Sequence, residues 1–180
     1  MKIAVISDTH GSFAAWENCF PFLGGIDMLV HCGDLYYIGP RNPQSGDFSP
    51  GKLADAFNSL GIPFIVARGN CDAEIDSTVS QFPICHPYAF FIANGKRILV
   101  SHGHVFTMSQ YVDLARRWHI DIALSGHTHL AGIESIENCI FANPGSLAFP
   151  KNFPGICFIS ENEIELFDVS SGRTTCKASL

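Results

Sequence analysis

Seven residues have the types and spacing for metal chemistry at phosphorus: Asp8, His10, Asp34, Asn70, His102, His127 and His129. Each lies in a short turn after a strand-like run. The turns are Ser7-Asp8-Thr9-His10, Gly33-Asp34, Gly69-Asn70-Cys71-Asp72, Ser101-His102-Gly103-His104 and Gly126-His127-Thr128-His129. A carboxylate has two oxygens and can bridge two cations roughly 3.5–4 Å apart. An aspartate and an imidazole two residues apart, as in Asp8 and His10, can reach one ion. Asn70 offers a neutral carbonyl oxygen, which limits the total negative charge, and the imidazoles suit Mn, Fe, Zn or Ni more than Ca. A centre of two such ions activates a water and clamps both oxygens of a displacement at phosphorus.

Strands and helices must bring these turns together. Ile3 to Ile6, Met28 to His31 and Ile62 to Ala67 are short apolar runs, each entering one of the turns. Between the first two, Phe13, Trp16, Phe20 and Leu23 recur at helical spacing, and Ser12 is a ready N-cap. Leu53, Ala56, Phe57 and Leu60 mark a second helix that Gly61 stops. Residues 36–51 carry three glycines and three prolines without periodicity, the mark of a functional or mobile loop.

The second half is richer in strands. Asn94-Gly95 between Tyr88 to Ala93 and Lys96 to Ser101 is a two-residue hairpin signal. A helix over roughly Ser109 to Trp118 leads to Ile122-Ala123-Leu124. Runs at Ile133 to Ile136, Cys139 to Ala142, Gly155 to Ile159 and Ile164 to Val169 read as antiparallel pairs, with a solvated hairpin at Glu161 to Glu165. Alternation followed by hairpins predicts an α/β fold, an αββα sandwich of two mixed sheets flanked by helices, over a single domain, 1–180. Active residues would collect at the carboxyl ends of the strands.

Composition narrows the function. The chain has 180 residues, 47% of them hydrophobic, enough for one buried core. Its net charge of −6, with no cluster of lysine or arginine, argues against a stable nucleic-acid partner, which needs several cations in one groove. It leaves room for a small phosphate ester. No basic-apolar signal segment opens the chain, and no apolar run reaches the ~18–20 residues of a membrane span. The seven cysteines are odd in number and lack a C-x-x-C, so a disulfide frame is not expected. A cytoplasmic location without a membrane partner is the expectation.

The blocks D-x-H, G-D, G-N-x-D/E, H and G-H-x-H, in that order from Asp8 to His129, resemble the calcineurin-like metallophosphoesterase superfamily. The Asn143-Pro144-Gly145-Ser146 turn is similar to that of its small bacterial and archaeal branch. Gly39-Pro40-Arg41-Asn42 and the block from Val66 to Asp72 resemble YfcE-type phosphodiesterases. The resemblance implies that Asp8, His10, Asp34 and His129 hold one divalent ion and Asp34, Asn70, His102 and His127 a second. A water or hydroxide between the ions would attack phosphorus in line. The expected metal is Mn²⁺, with Ni²⁺, Zn²⁺, Fe²⁺ or Mg²⁺ as alternatives.

Catalytic roles fall on Asp34, Asn70 and His102, with Cys71 and His104 beside them. Many family phosphatases carry a histidine after the asparagine, thought to protonate the leaving oxygen; here that residue is Cys71. A thiol suits that role less well than an imidazole at neutral pH. A phosphodiesterase with weak monoesterase activity is therefore expected. Alternatively, Cys71 is an inert small residue that makes room for the second substituent of a diester.

His104 is either a donor to the substrate phosphate or a solvated loop residue. Arg41 either grips the substrate or is a plain surface arginine, and Asn70 would touch substrate as well as metal. Asp72 is expected to orient a ligand or the turn. Asn143 and Ser146 are expected to serve the turn itself. Tyr36, Tyr37, Ile38 and Phe48 suggest a homodimer or homotetramer built on the exposed loop. The rival readings are a phosphomonoesterase on the same centre, a metal-binding scaffold of the same fold and, less favoured, a nuclease.

Overall fold

The structure, a computed structural model, describes residues 1–43 and 47–180. Strands β1 (Ile3–Ile6), β2 (Met28–His31), β3 (Phe64–Ala67) and β4 (Ile84–Cys85) are parallel neighbours. On the other side of β1 lie the antiparallel strands β10 (Gly155–Ile159), β11 (Glu163–Asp168) and β12 (Arg173–Ser179), giving a seven-stranded mixed sheet ordered β12-β11-β10-β1-β2-β3-β4. The second sheet has β5 (Ala89–Ala93), β6 (Lys96–Val100), β7 (Ile122–Leu124), β8 (Gly132–Ile136) and β9 (Cys139–Asn143), ordered β5-β6-β7-β9-β8.

Alternation along the strands makes the layers. Ile3 and Val5 of β1 pack with Val30, Ile98, Val100, Ile122 and Leu124 in a core between the two sheets. Ala4 and Ile6 turn the other way, onto helices α1 (Phe13–Cys19) and α2 (Pro50–Asn58) through Trp16, Cys19, Leu53 and Phe57. On the far face of the second sheet, Leu99, Ala123 and Phe141 meet Tyr111 and Ala115 of α4 (Met108–Arg117). The result is the expected αββα sandwich. The short helix α3 (Asp76–Val79) sits beside β4. Among the described residues, no helix is long and apolar enough to cross a membrane.

The boundaries follow local chemistry. Ser12 caps α1 by accepting from the Ala15 N–H at 3.1 Å. The helix runs only to Cys19, because Pro21 turns Phe20–Leu23 into a 3₁₀ segment. Thr107 and Gln110 form a capping box ahead of α4. Asn94 and Gly95 both have φ near the left-handed region, at 51° and 72°, as a two-residue hairpin turn requires.

Three differences from expectation have clear causes. Strand β12 carries Thr, Lys and Ser along an exposed edge, so it has no apolar signal; Lys177 ties it to Glu163 and Glu165, each at 3.0 Å. Strand β4 is two residues long, too short for a period. Tyr36 is not part of an exposed patch: it is 6% exposed, packs in the core under α1 and α2, and its hydroxyl pairs with Ser80 Oγ at 3.0 Å. Residues 44–46 of the loop expected over 36–51 lie outside the described residues.

A buried histidine fixes the base of the site. His31 Nδ1 accepts from the Gly33 N–H at 3.0 Å, so its Nε2 carries the proton toward Thr9 Oγ1 at 3.1 Å. Thr9 Oγ1 then donates to the Leu35 carbonyl at 2.9 Å. Burial pushes the His31 imidazole down to about 3, against the pull of the Asp8 charge. Between that value and the ordinary histidine value of about 6.5, the unfolded chain binds a proton that the native one refuses. This contribution is therefore full above pH ~6.5 and falls as pH drops, by at most ~5 kcal/mol. Melting curves taken from neutral pH down to about pH 5 should show a steeper loss for the native protein than for His31→Gln; equal slopes would refute the assignment.

Candidate metal centre

The carboxyl ends of β1, β2, β3, β6 and β7 open into five turns at one end of the sandwich. The turns are stitched to one another by backbone hydrogen bonds. Asp8 N–H donates to Gly33 O at 3.0 Å, His10 N–H to Asp34 O at 3.0 Å and Gly11 N–H to Leu35 O at 2.8 Å. Gly126 N–H reaches His102 O at 3.0 Å. Glycines permit the closeness: a Cβ on Gly69 would collide with Asp34 Oδ1, and one on Gly126 with Ser7 Oγ and Asp8 Oδ2.

The candidate ligands sit in strained backbone. Among the described residues eight non-glycine residues have positive φ, and five of them are Asp8, His10, Asp34, His127 and His129, at 44° to 66°. Aspartate and histidine tolerate this region better than most, yet each instance still costs roughly 1 kcal/mol. Strain gathered on chemically active residues marks a functional site.

Three imidazoles are aimed by backbone carbonyls. Nδ1 of His10 faces Tyr37 O at 2.9 Å, that of His129 faces Phe149 O at 2.9 Å and that of His102 faces Cys32 O at 2.7 Å. A carbonyl only accepts, so each Nδ1 carries the proton and each neutral ring presents a bare Nε2 inward. His10 Nε2 and His129 Nε2 then lie 3.2 Å apart. Asp8 Oδ1, fully buried, stands 3.2 Å from His129 Nε2 and 3.6 Å from His10 Nε2, and has no hydrogen-bond partner among the described residues. Lone pairs facing lone pairs in a buried pocket require positive charge, either as protons on the rings or as a cation. Ligand atoms of Asp8, His10 and His129, of Asp8, Asp34 and His102, and of His10, Asp34 and Cys71 each lie within 4.8 Å of one another, so each trio could hold an ion. The donor set fits divalent metal.

The electrostatics agree. Burial disfavours the Asp8 charge, but the His10 and His129 rings outweigh it and hold its carboxyl well below the usual range. Burial also opposes charge on His102, yet Asp34 and Asp8 raise its imidazole to about 9. Burial pushes the Cys71 thiol up to about 12, with the Asp34 charge adding to it.

The remaining residues group around this floor. Asn70 is exposed, with Oδ1 3.1 Å from His102 Nε2 and Nδ2 3.3 Å from Cys71 Sγ. His127 is exposed, its ring 5.1 Å from that of His102. His104 is exposed, its ring 5.3 Å from that of His102 and outside the cleft wall. Arg41 lines the cleft, which has a volume of about 1000 Å³ and also takes in Tyr37, Cys71 and Lys151.

Ser146 Oγ donates to Asp8 O at 2.8 Å and Asn143 Nδ2 to Gly126 O at 2.8 Å, so the Pro-Gly turn braces two of the ligand turns from behind. Asp72 orients both its own turn and that of Asp34. Its carboxylate accepts from the N–H groups of Asp34 at 2.9 Å, Leu35 at 2.6 Å and Gly69 at 2.6 Å, locking two turns together. Lys151 was not indicated by any motif, because a lone lysine after a proline has no pattern.

A sequence profile of the calcineurin-like phosphoesterase superfamily domain matches residues 1–162. The chain belongs to that superfamily. It is 35% identical to phosphodiesterase YfcE of Escherichia coli over 153 residues, which cover 84% of this chain and 82% of that one. The solved structure of E. coli YfcE, described as a phosphoesterase, superposes with a TM-score of 0.88 at 28% identity, covering 99% of both chains. Vacuolar Protein Sorting 29 from Cryptosporidium parvum shares the fold at a TM-score of 0.72 and 17% identity, over 99% of this chain and 97% of that one. The protein is thus a metal-dependent phosphoesterase in family and fold.

Asp72→Asn replaces an acceptor oxygen with an N–H facing backbone N–H groups. Calorimetric titration with Mn²⁺ should show metal affinity lowered about 10- to 100-fold, as loss of a supporting partner behind a metal site typically does. Unchanged affinity would show that the Asp72 bonds do not position the site.

Proposed function

We propose that the protein hydrolyses phosphodiesters on a binuclear metal centre. Asp8, His10, Asp34 and His129 would hold one ion and Asp34, Asn70, His102 and His127 the other, with Mn²⁺ the favoured metal. The observation that carries the proposal is the buried, unpartnered Asp8 Oδ1 facing bare imidazole nitrogens. Two ions bound there would supply a nucleophilic hydroxide and neutralise charge on the phosphoryl oxygens.

The chain's own groups set the rest. The backbone carbonyls of Tyr37, Phe149 and Cys32 fix the ring tautomers, so the nitrogens need no reorientation during turnover. Asp34 is held by the Cys71 N–H at 2.8 Å on Oδ1, which leaves Oδ2 toward His10 and His102. Asn70, exposed on the cleft wall, would also meet the phosphoryl oxygens, whereas His102 is buried and would act through the ion it holds.

Preference for a diester rests on Cys71 and on room. At the position after Asn70 a thiol suits protonation of a poor leaving group less well than an imidazole does at neutral pH. The wide cleft accepts a second ester substituent. The similarity to a phosphodiesterase supports the same reading. His104 stands close to His102 and would act at most on the rim.

Metal-stripped protein given back Mn²⁺, Ni²⁺, Zn²⁺ or Mg²⁺ should cleave bis-p-nitrophenyl phosphate faster than p-nitrophenyl phosphate. Asp34→Asn should lose at least about 100-fold in rate, since the Asp34 carboxylate would serve both ions. Faster monoester cleavage would keep the centre and overturn the substrate class. Inactivity with every metal would favour the scaffold reading.

A further inference from the structure

The cleft is much larger than a phosphoryl group needs, at about 1000 Å³. Its floor is acidic, with Asp34 and Asp72 among the lining residues. Its walls carry two cations, Arg41 and Lys151. Among the described residues, neither is within salt-bridge distance of a carboxylate, although the chain as a whole is acidic.

The main-chain segments that carry both cations are hydrogen-bonded to residues of the candidate centre. Lys151 N–H donates to His129 O at 2.9 Å. Arg41 lies in a turn that Asn42 Nδ2 closes onto Ile38 O at 2.8 Å, and the preceding Tyr37 O accepts from His10 Nδ1 at 2.9 Å. The main chain at Lys151 thus meets that of His129, and the segment leading to Arg41 meets the His10 ring. An anionic group bound in the cleft shares it with both basic side chains. The Tyr37 side chain, 51% exposed on the same wall, offers a flat face to a ring.

We infer that the substrate carries a second phosphate besides the diester, and that Arg41 and Lys151 read it. This rests on the proposed phosphodiesterase activity and narrows it to a nucleotide-sized diester. Arginine clamps phosphate oxygens through two parallel N–H bonds, and lysine adds a point charge. Two cations match the dianion of a phosphate monoester better than the single charge of a carboxylate.

The test uses two chromogenic diesters, the p-nitrophenyl ester of thymidine 5′-phosphate with and without a 3′-phosphate. KM should be about tenfold lower with the 3′-phosphate, the size expected of charge-assisted bonds. The preference should shrink toward one in Arg41→Gln and Lys151→Gln, and Arg41→Lys should restore part of it. Equilibrium binding of thymidine 3′,5′-bisphosphate and thymidine 5′-phosphate, with Mn²⁺ and without, involves no diester bond and separates the two proposals. Hydrolysis absent for every diester would defeat the proposed activity alone. Equal affinity for the two nucleotides, no affinity for either, or a preference that survives both substitutions would overturn the second-phosphate assignment.

Discussion

Buried electron pairs that face one another control this structure. Asp8 Oδ1 and the Nε2 atoms of His10 and His129 converge within a few ångströms, with no donor among them when the rings are neutral. Leaving one charged group in such a place costs several kcal/mol. Ordinary folding selects against it, and a bound cation reverses the sign. Every nearby feature that is costly for a plain sandwich becomes intelligible once the strand ends must hold that arrangement.

The backbone shows how it is held. Five left-handed residues at ~1 kcal/mol each amount to ~5 kcal/mol, comparable to the entire net stability of many domains. That strain persists because the turns are over-determined. Asp72 binds three N–H groups, Ser146 and Asn143 brace from behind, and the Asp8 and Asp34 turns share a ladder of main-chain bonds. The sheets beneath give these turns rigid stems: β1, β2 and β7 are buried throughout, as are the last three residues of β6, and they cannot shift independently.

The legible part of this protein was the part with a period or a motif. Apolar strands, the helices behind Ser12 and around Phe57, and the Asn94-Gly95 hairpin were readable because burial writes a period of two or about four into sequence. The seven candidate ligands were readable because chemistry demands rare residue types at fixed offsets. What was hidden depends on the third dimension. Asp72 was expected to orient a ligand or the turn, but only the folded chain gathers Asp34, Leu35 and Gly69 N–H groups around it. Tyr36 was misplaced on the surface because its neighbour Tyr37 is exposed, and no periodicity in a Gly-Pro-rich loop tells the two apart. Lys151 is close to His129 only through the chain's return path.

An acidic chain with an acidic cleft floor faces a simple electrostatic obstacle in taking an anion. At an effective dielectric of about 20, one carboxylate some 6 Å from a phosphate charge repels it by ~3 kcal/mol. Asp8 and Asp34 together would oppose binding by more than the ~1–2 kcal/mol that a hydrogen bond to the substrate returns. Cations on the walls offset part of this, but Arg41 and Lys151 are solvated and partly screened. The buried floor is not, so its carboxylates count fully unless protons on the histidine rings or a bound cation neutralise them from within. Substrate affinity would therefore rise with metal occupancy, because the carboxylates that oppose a phosphate at the bare site are the groups that would hold divalent ions. Metal bound at the floor would favour an anionic ester through where the charges are buried, not through any moving part.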